Sequence, residues 1–168
     1  MTQTEFALNA RPATSGATLS YREEVYHPSL SAPVVAHGWF EHASDGTLIR
    51  HQTDPQAETM TIGKQYIHRL REASGFSTTV IIPSELAPMF AIIRGVVSDN
   101  REAMLELLKD YSADIQNGDA GWSLTLTSNR ETSVANTLVL YGCGDLLQAV
   151  EAQLPDSSRR RYVFEDRP

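Results

Sequence analysis

Hydrophobic and polar residues alternate along most of the first 82 residues, in short runs separated by turn residues. In ATLSYREEVY, for example, Leu19, Tyr21 and Val25 fall on one side and Ser20 and Arg22 on the other. Alternation with a period of two predicts half-buried β-strands. The same alternation predicts strands in VVAHGWFEH, TLIRHQT, TMTI, QYIHRLRE and FSTTVII. The segment SDG predicts a hairpin turn. We therefore expect about six short antiparallel strands in this part of the chain.

The hydrophobic period changes after Pro83. Apolar residues then recur at steps of three and four, at Leu86, Phe90, Ile93 and Val97. This spacing predicts a helix over 84–97, capped by Ser84 and with Pro88 in or near its first turn. Asp99 with Glu102 predicts the start of a second helix. Its expected apolar stripe is Met104, Leu107, Leu108 and Tyr111.

Strands resume after the Asn117-Gly118 turn, in WSLTLT, SVANTLVLYG, DLLQAVEAQ and SRRRYVFE. The order of strands, two helices and strands predicts a mainly β (α+β) fold. We expect a strongly curved antiparallel sheet, or incomplete β-barrel, of about ten strands with a two-helix lid over its concave face. Residues 1–168 are expected to form a single domain, in which residues 1–16 are a loose arm or a short helix.

The first helix is apolar nearly all round, and such a helix needs apolar contact on more than one side. A curved sheet can supply that contact on one side. The other side requires a partner protein, neighbouring loops or a hydrophobic ligand. Arg94 is the charged residue in this stretch, and it could meet a lipid head group or carboxylate, or reach solvent beside a surface acid.

Composition narrows the function classes. The chain has 168 residues, a net charge of −7 and 41% hydrophobic residues, which is typical of a globular domain and argues against a nucleic-acid-binding protein. The short basic run at 159–161 is interpreted as a solvated face or hairpin end. Cys143 is the single cysteine, so an internal disulfide and a cysteine-based zinc site are excluded.

Targeting signals are not evident from the sequence. No run reaches the roughly 18–20 apolar residues that cross a bilayer, so we do not expect a membrane-spanning helix. MTQTEFALNARPATSG has neither the basic start nor the apolar centre of a signal peptide. The chain is therefore either cytoplasmic or a mature or trimmed form that begins at a new Met1.

Catalytic and metal motifs give little support to an enzyme. The five histidines form neither HxH nor HExxH, and GxSxG and P-loop motifs are missing. The remaining catalytic hypothesis is an acid–base pair of His68 with Glu58 or Asp114. We predict no metal site and no cofactor.

The order of these elements resembles the LolA-like outer-membrane lipoprotein carrier superfamily, and most closely a divergent LolA-related branch, over about residues 20 to 165. The similar pieces, in order, are the Gly38–Phe40 strand, the Asp45-Gly46-x-Leu48-x-Arg50 hairpin, Pro55 before the strand Glu58–Lys64, the helical pair FAIIRGVVSDNREAMLELL and WSLTLT. The resemblance implies an open β-barrel with a helical lid that holds acyl chains in an apolar cavity, without catalytic residues or a metal.

On this interpretation the protein is a non-enzymatic periplasmic carrier, a transport chaperone that binds the acyl chains of a lipid or lipoprotein. Its periplasmic location implies that a signal sequence has been removed or trimmed. The expected lipid-binding residues are Trp39, Leu48, Met60, Ile62, Tyr66, Leu70, Met89, Phe90, Ile93, Arg94, Val96, Trp122 and Leu124. The expected partners are the cargo and an inner-membrane donor complex, and the protein is expected to be a monomer. The alternatives are a small cavity enzyme, or an interaction module whose helix 84–97 packs on a partner protein.

Overall fold

The computed structural model describes residues 18–98, 101–129 and 137–165, which contain eleven β-strands, two α-helices and a 3₁₀ turn at Glu72–Ser74. The strands before the helices are β1 (Thr18–Tyr26), β2 (Val34–His42), β3 (Leu48–Asp54), β4 (Glu58–Ile62), β5 (Tyr66–Arg71) and β6 (Phe76–Ile81). The helices are α1 (Ala87–Ser98) and α2 (Arg101–Leu108). The strands after them are β7 (Tyr111–Gly118), β8 (Gly121–Ser128), β9 (Thr137–Cys143), β10 (Leu146–Gln153) and β11 (Arg159–Glu165).

The eleven strands form one antiparallel sheet in the order β6-β5-β4-β3-β2-β1-β11-β10-β9-β8-β7. Pairing of β1 with β11 joins the two halves at the centre. β6 and β7 are the two ends and do not pair with each other, so the sheet is not closed into a barrel. The helices lie between β6 and β7 in the sequence. The chain therefore crosses from one edge of the sheet to the other through α1 and α2.

Alternation gives the sheet an inner face, which α1 covers, and an outer face. Leu19 and Tyr21 are buried on the inner face of β1, whereas Ser20 and Arg22 point outward. In β8, every second residue from Trp122 to Leu126 is buried in the same way. The period-two pattern of the sequence thus becomes a continuous apolar inner surface across both halves of the sheet.

Helix α1 is buried because it packs between the sheet and α2. The helix contacts β2 and β10 on either side of the centre of the sheet, and it also contacts α2. Its side chains that are at most 5% exposed are Met89, Phe90, Ile92, Ile93 and Val96. Each such side chain contributes roughly 1.5–3 kcal/mol by leaving water. The sequence predicted that this helix needs apolar contact on more than one side. The sheet and α2 of the same chain supply most of that contact.

The predicted fold class is confirmed: the protein is mainly β, with a curved, unclosed antiparallel sheet and two helices. The structure has one strand more than expected. Tyr111 was predicted to extend the second helix, but α2 ends at Leu108 and Tyr111 begins β7. Helix α1 begins at Ala87, after a turn in which Leu86 N–H donates to Pro83 O, so Ser84 precedes the helix instead of capping it. The predicted arm 1–16 and the Asp99 cap lie outside the described residues.

We predict that Gly38→Ala destabilises the fold by about 2–3 kcal/mol, because this position has no room for a side chain. A Cβ atom there would come within 1.8 Å of the carbonyl oxygen of His51 and 2.8 Å of the Tyr21 hydroxyl. Urea unfolding followed by tryptophan fluorescence measures the change. Gly118→Ala is the matched control, because its nearest atom would be 4.0 Å away. Equal stability of the two variants would contradict the prediction.

Candidate functional site

Most of the predicted lipid-binding residues come together on the inner face. Nine belong to one buried apolar cluster between the sheet and α1, namely Leu48, Met60, Ile62, Met89, Phe90, Ile93, Val96, Trp122 and Leu124. Their exposed fractions range from 0% to 9%. The side chains of α1 occupy the concave side of the sheet in this structure, so the cluster is a packed interior formed by the sheet and α1 together.

Four predicted residues lie outside this cluster, and for three of them the expectation that they line the interior is wrong. Trp39 is next to the buried Phe40, so it points to the outer face, where its ring stacks on His51 with 4.7 Å between ring centroids. Tyr66 is 54% exposed. Leu70 pairs with Thr59 on the outer face. Each of them is one residue out of step with the buried positions of its strand, and a strand turns such residues to the opposite face.

Arg94 attaches α1 to the first half of the sheet. Its Nη2 donates to the carbonyl oxygen of Ile62 at 3.1 Å and to that of Gly63 at 2.9 Å. Its Nε is buried and has no hydrogen-bond partner in the part of the chain that the structure describes. Burial lowers the pKa of this guanidinium from its usual range. Arg94 thus binds backbone carbonyls at the end of β4, instead of the surface acid or solvent considered from the sequence.

A surface cleft runs beside α1. Its volume is about 470 Å³, within the roughly 300–1,000 Å³ of small-molecule sites. It lies between α1, the β4–β5 turn and the junction of α2 with β7, and its lining residues are Lys64, Ser84, Ala87, Pro88, Ala91, Arg94, Leu107, Asp110, Tyr111 and Ser128. Ala87, Ala91 and Arg94 share one face of α1, because they are four and three residues apart. The small alanine side chains leave this space open.

A buried ionic cluster lies on the inner face where β1, β3 and β11 carry charged residues. The carboxylate of Glu23 accepts hydrogen bonds from Arg50 Nη2 at 3.0 Å and from Arg160 Nη1 at 3.1 Å. Arg50 Nη2 also donates to Gln52 Oε1 at 3.0 Å. Glu23 and Arg50 are only 6% and 3% exposed, whereas the Arg160 side chain is 28% exposed, so the buried part of the cluster is an ion pair of one carboxylate and one guanidinium.

Two tyrosines enclose this ionic cluster. The Arg50 guanidinium lies 5.3 Å from the ring centroid of Tyr21 and 5.9 Å from that of Tyr162, a cation–π geometry. Burial raises the pKa of Tyr21 to about 12 and also raises the pKa of Tyr162. Both phenols therefore stay neutral at physiological pH. Within the described ranges, the hydroxyl oxygens of Tyr21 and Tyr162 are buried and have no hydrogen-bond partner.

A second carboxylate, Glu58, is paired at the inner face of β4. It accepts hydrogen bonds from Arg69 Nε and Nη2 at 3.1 and 3.0 Å and from Arg71 Nε at 2.7 Å. Burial alone would raise the pKa of Glu58, but the hydrogen bonds from Arg69 and Arg71 lower it below its usual value. The carboxylate is therefore ionised in the folded protein at neutral pH.

Sequence analysis missed the buried ion pair of Glu23 and Arg50, although the alternation of the strands contained a signal for it. Glu23 has the same parity as Leu19 and Tyr21 in β1, and Arg50 has the same parity as Leu48 in β3. A charged residue at an inward position is costly unless it is paired, which marks both residues as members of a buried ion pair. The interpretation of 159–161 as a solvated run is wrong for Arg160, which turns inward to Glu23.

The structure does not bring together His68 and Glu58, one of the acid–base pairs considered for a catalytic function. His68 lies on the outer face, within hydrogen-bond distance of the hydroxyls of Thr79 and Ser77, whereas Glu58 is buried on the inner face. Across the described residues, no group of three or more His, Cys, Asp or Glu side chains is placed to hold a metal ion. Over the same ranges, no helix is both long and apolar enough to cross a membrane.

We predict that Glu23→Gln lowers the free energy of unfolding by about 3 kcal/mol, because it leaves Arg50 buried without its counter-charge. Arg22→Gln is the matched control. Arg22 pairs with Glu24 and Glu165 on the outer face with a side chain that is 40% exposed, so its loss should cost less than about 1 kcal/mol. Urea unfolding at pH 7 compares the two variants. Similar losses in both would show that the inner cluster is not energetically distinct.

We also predict that Glu58 makes stability depend on pH in the acid range. Because its pKa is lower in the folded state, its contribution is complete above about pH 4.3, the ordinary glutamate value, and disappears as the pH falls through the folded-state pKa. Glu58→Gln should flatten the decrease of unfolding free energy between pH 6 and pH 3. The exposed Glu72→Gln is the control, and an equal flattening there would contradict the assignment.

Comparison with known proteins places the chain in a family. No protein of curated function matches it in sequence. A crystal structure of a LolA superfamily protein from Nitrosomonas europaea is 10% identical, with 96% of this chain and 89% of that chain covered and a TM-score of 0.45. The family model described as "Outer membrane lipoprotein carrier protein LolA-like" matches residues 7–163, which is nearly the whole chain. The protein therefore belongs to the LolA-like outer membrane lipoprotein carrier family.

Proposed function

We propose that the protein is a non-enzymatic carrier that binds the acyl chains of a lipid or lipoprotein between its sheet and α1, with α1 as the lid. The observation that supports this best is the packing of α1. Its apolar side chains pack on the inner face of an unclosed sheet. Among the described residues, Arg94 forms the side-chain hydrogen bonds between α1 and that sheet. A hydrophobic element with so few polar attachments can be exchanged for another hydrophobic group.

The energetics of such an exchange favour acyl chains. Opening the lid exposes the inner face and the buried side of α1, and an alkyl chain that enters restores roughly 0.8 kcal/mol for each buried methylene group. Apolar burial is not directional, so the ligand needs no fixed set of polar partners. On this proposal, side chains of α1 fill the interior when the carrier is empty, and the alkyl chain of the cargo fills it when the carrier is loaded.

The same packing argues against the alternative in which helix 84–97 binds a partner protein. The apolar residues that such a partner would need, including Phe90 and Ile93, are already covered by the sheet and α2. A partner would have to compete with the protein's own sheet for them. A mobile cargo that enters under the helix does not meet this restriction.

The cellular setting that we propose is the periplasm. The description of the family as outer membrane lipoprotein carriers supports a route from an inner-membrane donor complex toward the outer membrane. A monomer suits this role, because one chain already supplies both the sheet and the lid. The net charge of −7 gives no broad basic surface that would favour nucleic acid over lipid as cargo.

Native mass spectrometry of the protein, purified from bacterial cells without detergent, tests the carrier proposal directly. We expect a fraction of the protein to carry the extra mass of an acyl lipid, which extraction with organic solvent removes. Delipidated protein should then bind N-phenyl-1-naphthylamine, an uncharged apolar fluorophore. A protein that is purified without lipid and also fails to bind the fluorophore would contradict the proposal.

We predict that Arg94→Met increases the affinity for this fluorophore about tenfold. Methionine keeps the apolar bulk but removes the two charged hydrogen bonds to Ile62 and Gly63, and so shifts the population toward the open lid. Fluorescence titration measures the effect. Glu58→Gln is the control, because it weakens the sheet without touching the lid attachment. An equal gain in the control would show that general loosening, and not lid release, admits the fluorophore.

A further inference from the structure

Part of the lining of the cleft beside α1 is apolar. The apolar residues are Ala87, Pro88 and Ala91 of α1, Leu107 of α2 and Tyr111 at the start of β7. One face of the proposed lid therefore lines the cleft, whereas its opposite face packs on the sheet. Arg94 lines the cleft and also binds carbonyl oxygens at the end of β4, so the cleft borders the sheet at the edge of α1. The end of the cargo that stays near solvent would emerge at this edge.

The other notable feature of the cleft is its charge. Two cationic side chains, Lys64 and Arg94, and one acidic side chain, Asp110, line it. The two cations lie together at the β4–β5 turn, because Arg94 donates to the carbonyl oxygen of Gly63, the residue next to Lys64. Asp110 belongs to the separate junction of α2 with β7. This local positive charge contrasts with a chain in which 21 acidic residues outnumber 14 lysines and arginines.

Both cations have hydrogen-bonding capacity left. Lys64 is exposed and forms no ion pair with any residue in the described part of the chain. Arg94 uses Nη2 for the two carbonyl oxygens, and its Nε has no hydrogen-bond partner among the described residues. The positive charge of a guanidinium that lines the cleft and is not paired with a carboxylate there favours an anionic oxygen beside it.

We infer that this cleft binds the anionic head group of an amphiphile, a carboxylate or a phosphate, through Lys64 and Arg94, while the attached alkyl chain lies beneath α1. The inference rests on the proposed carrier function and specifies its cargo: a lipid with a negatively charged head group is preferred to a neutral one of equal chain length. Lys64 acts here as a specificity residue, since it contacts the head group and takes no part in holding the lid.

Three ligands with one chain and different head groups test the inference: decanol, decanoate and decyl phosphate, each titrated at pH 8 by displacement of the fluorophore. We expect both anions to bind roughly tenfold more tightly than decanol, as one charge-assisted hydrogen bond in a partly buried site would give. Lys64→Gln should remove most of this preference by weakening the binding of both anions. A preference for the phosphate over the carboxylate would point to a phospholipid source, and the reverse to a free fatty acid.

Arg22→Gln is the control for loss of one positive charge, because Arg22 lies on the outer face of β1. It should leave the anion preference intact. Equal binding of all three ligands, or an anion preference that survives Lys64→Gln, would overturn the head-group inference and leave the carrier proposal standing. Failure of every ligand to displace the fluorophore, or of the fluorophore to bind, would overturn both.

Discussion

Contact between α1 and the inner face of the sheet is the interaction on which the rest of the structure depends. The eleven strands do not close, so they leave an apolar inner surface that no opposing strands cover. The chain must pass from β6 at one edge to β7 at the other, and it does so through the two helices. A hydrophobic helix between β6 and β7 therefore meets two requirements. It connects the two edges of the sheet, and it covers the apolar inner surface.

Polar groups on the inner face are held in fixed positions around this apolar contact. Glu23 and Glu58 each bind two arginines, and the Glu23 cluster is enclosed by tyrosine rings that burial keeps neutral. Removing a charged group from such a site is costly, so these clusters are poor candidates for moving parts. Arg94 differs from them, because it binds carbonyl oxygens and no carboxylate. The proposed lid is thus attached to the sheet by a different kind of polar contact from those that hold the two buried carboxylates.

Much of this architecture could be predicted from local patterns, because alternation and helical periodicity are properties of neighbouring residues. β7 was missed because its sequence, YSADIQNG, has Tyr111 and Ile115 four residues apart, as on a helix, and its edge position leaves most of its side chains exposed. Trp39, Tyr66 and Leu70 were misplaced because hydrophobic character was given more weight than strand parity. The presence of Lys64 and Arg94 in one cleft could not be predicted. It depends on how the β4–β5 turn meets α1, and the two residues are 30 positions apart in the chain.

The unpaired edges have a mechanical consequence. In a closed barrel, strand number and stagger set the diameter, so the interior has one size. Here β6 and β7 can draw apart or approach while every ladder of hydrogen bonds stays intact, because no ladder joins them. Strand pairing therefore does not fix the width of the interior, and under the carrier function proposed above the interior would adapt to cargoes of unequal thickness.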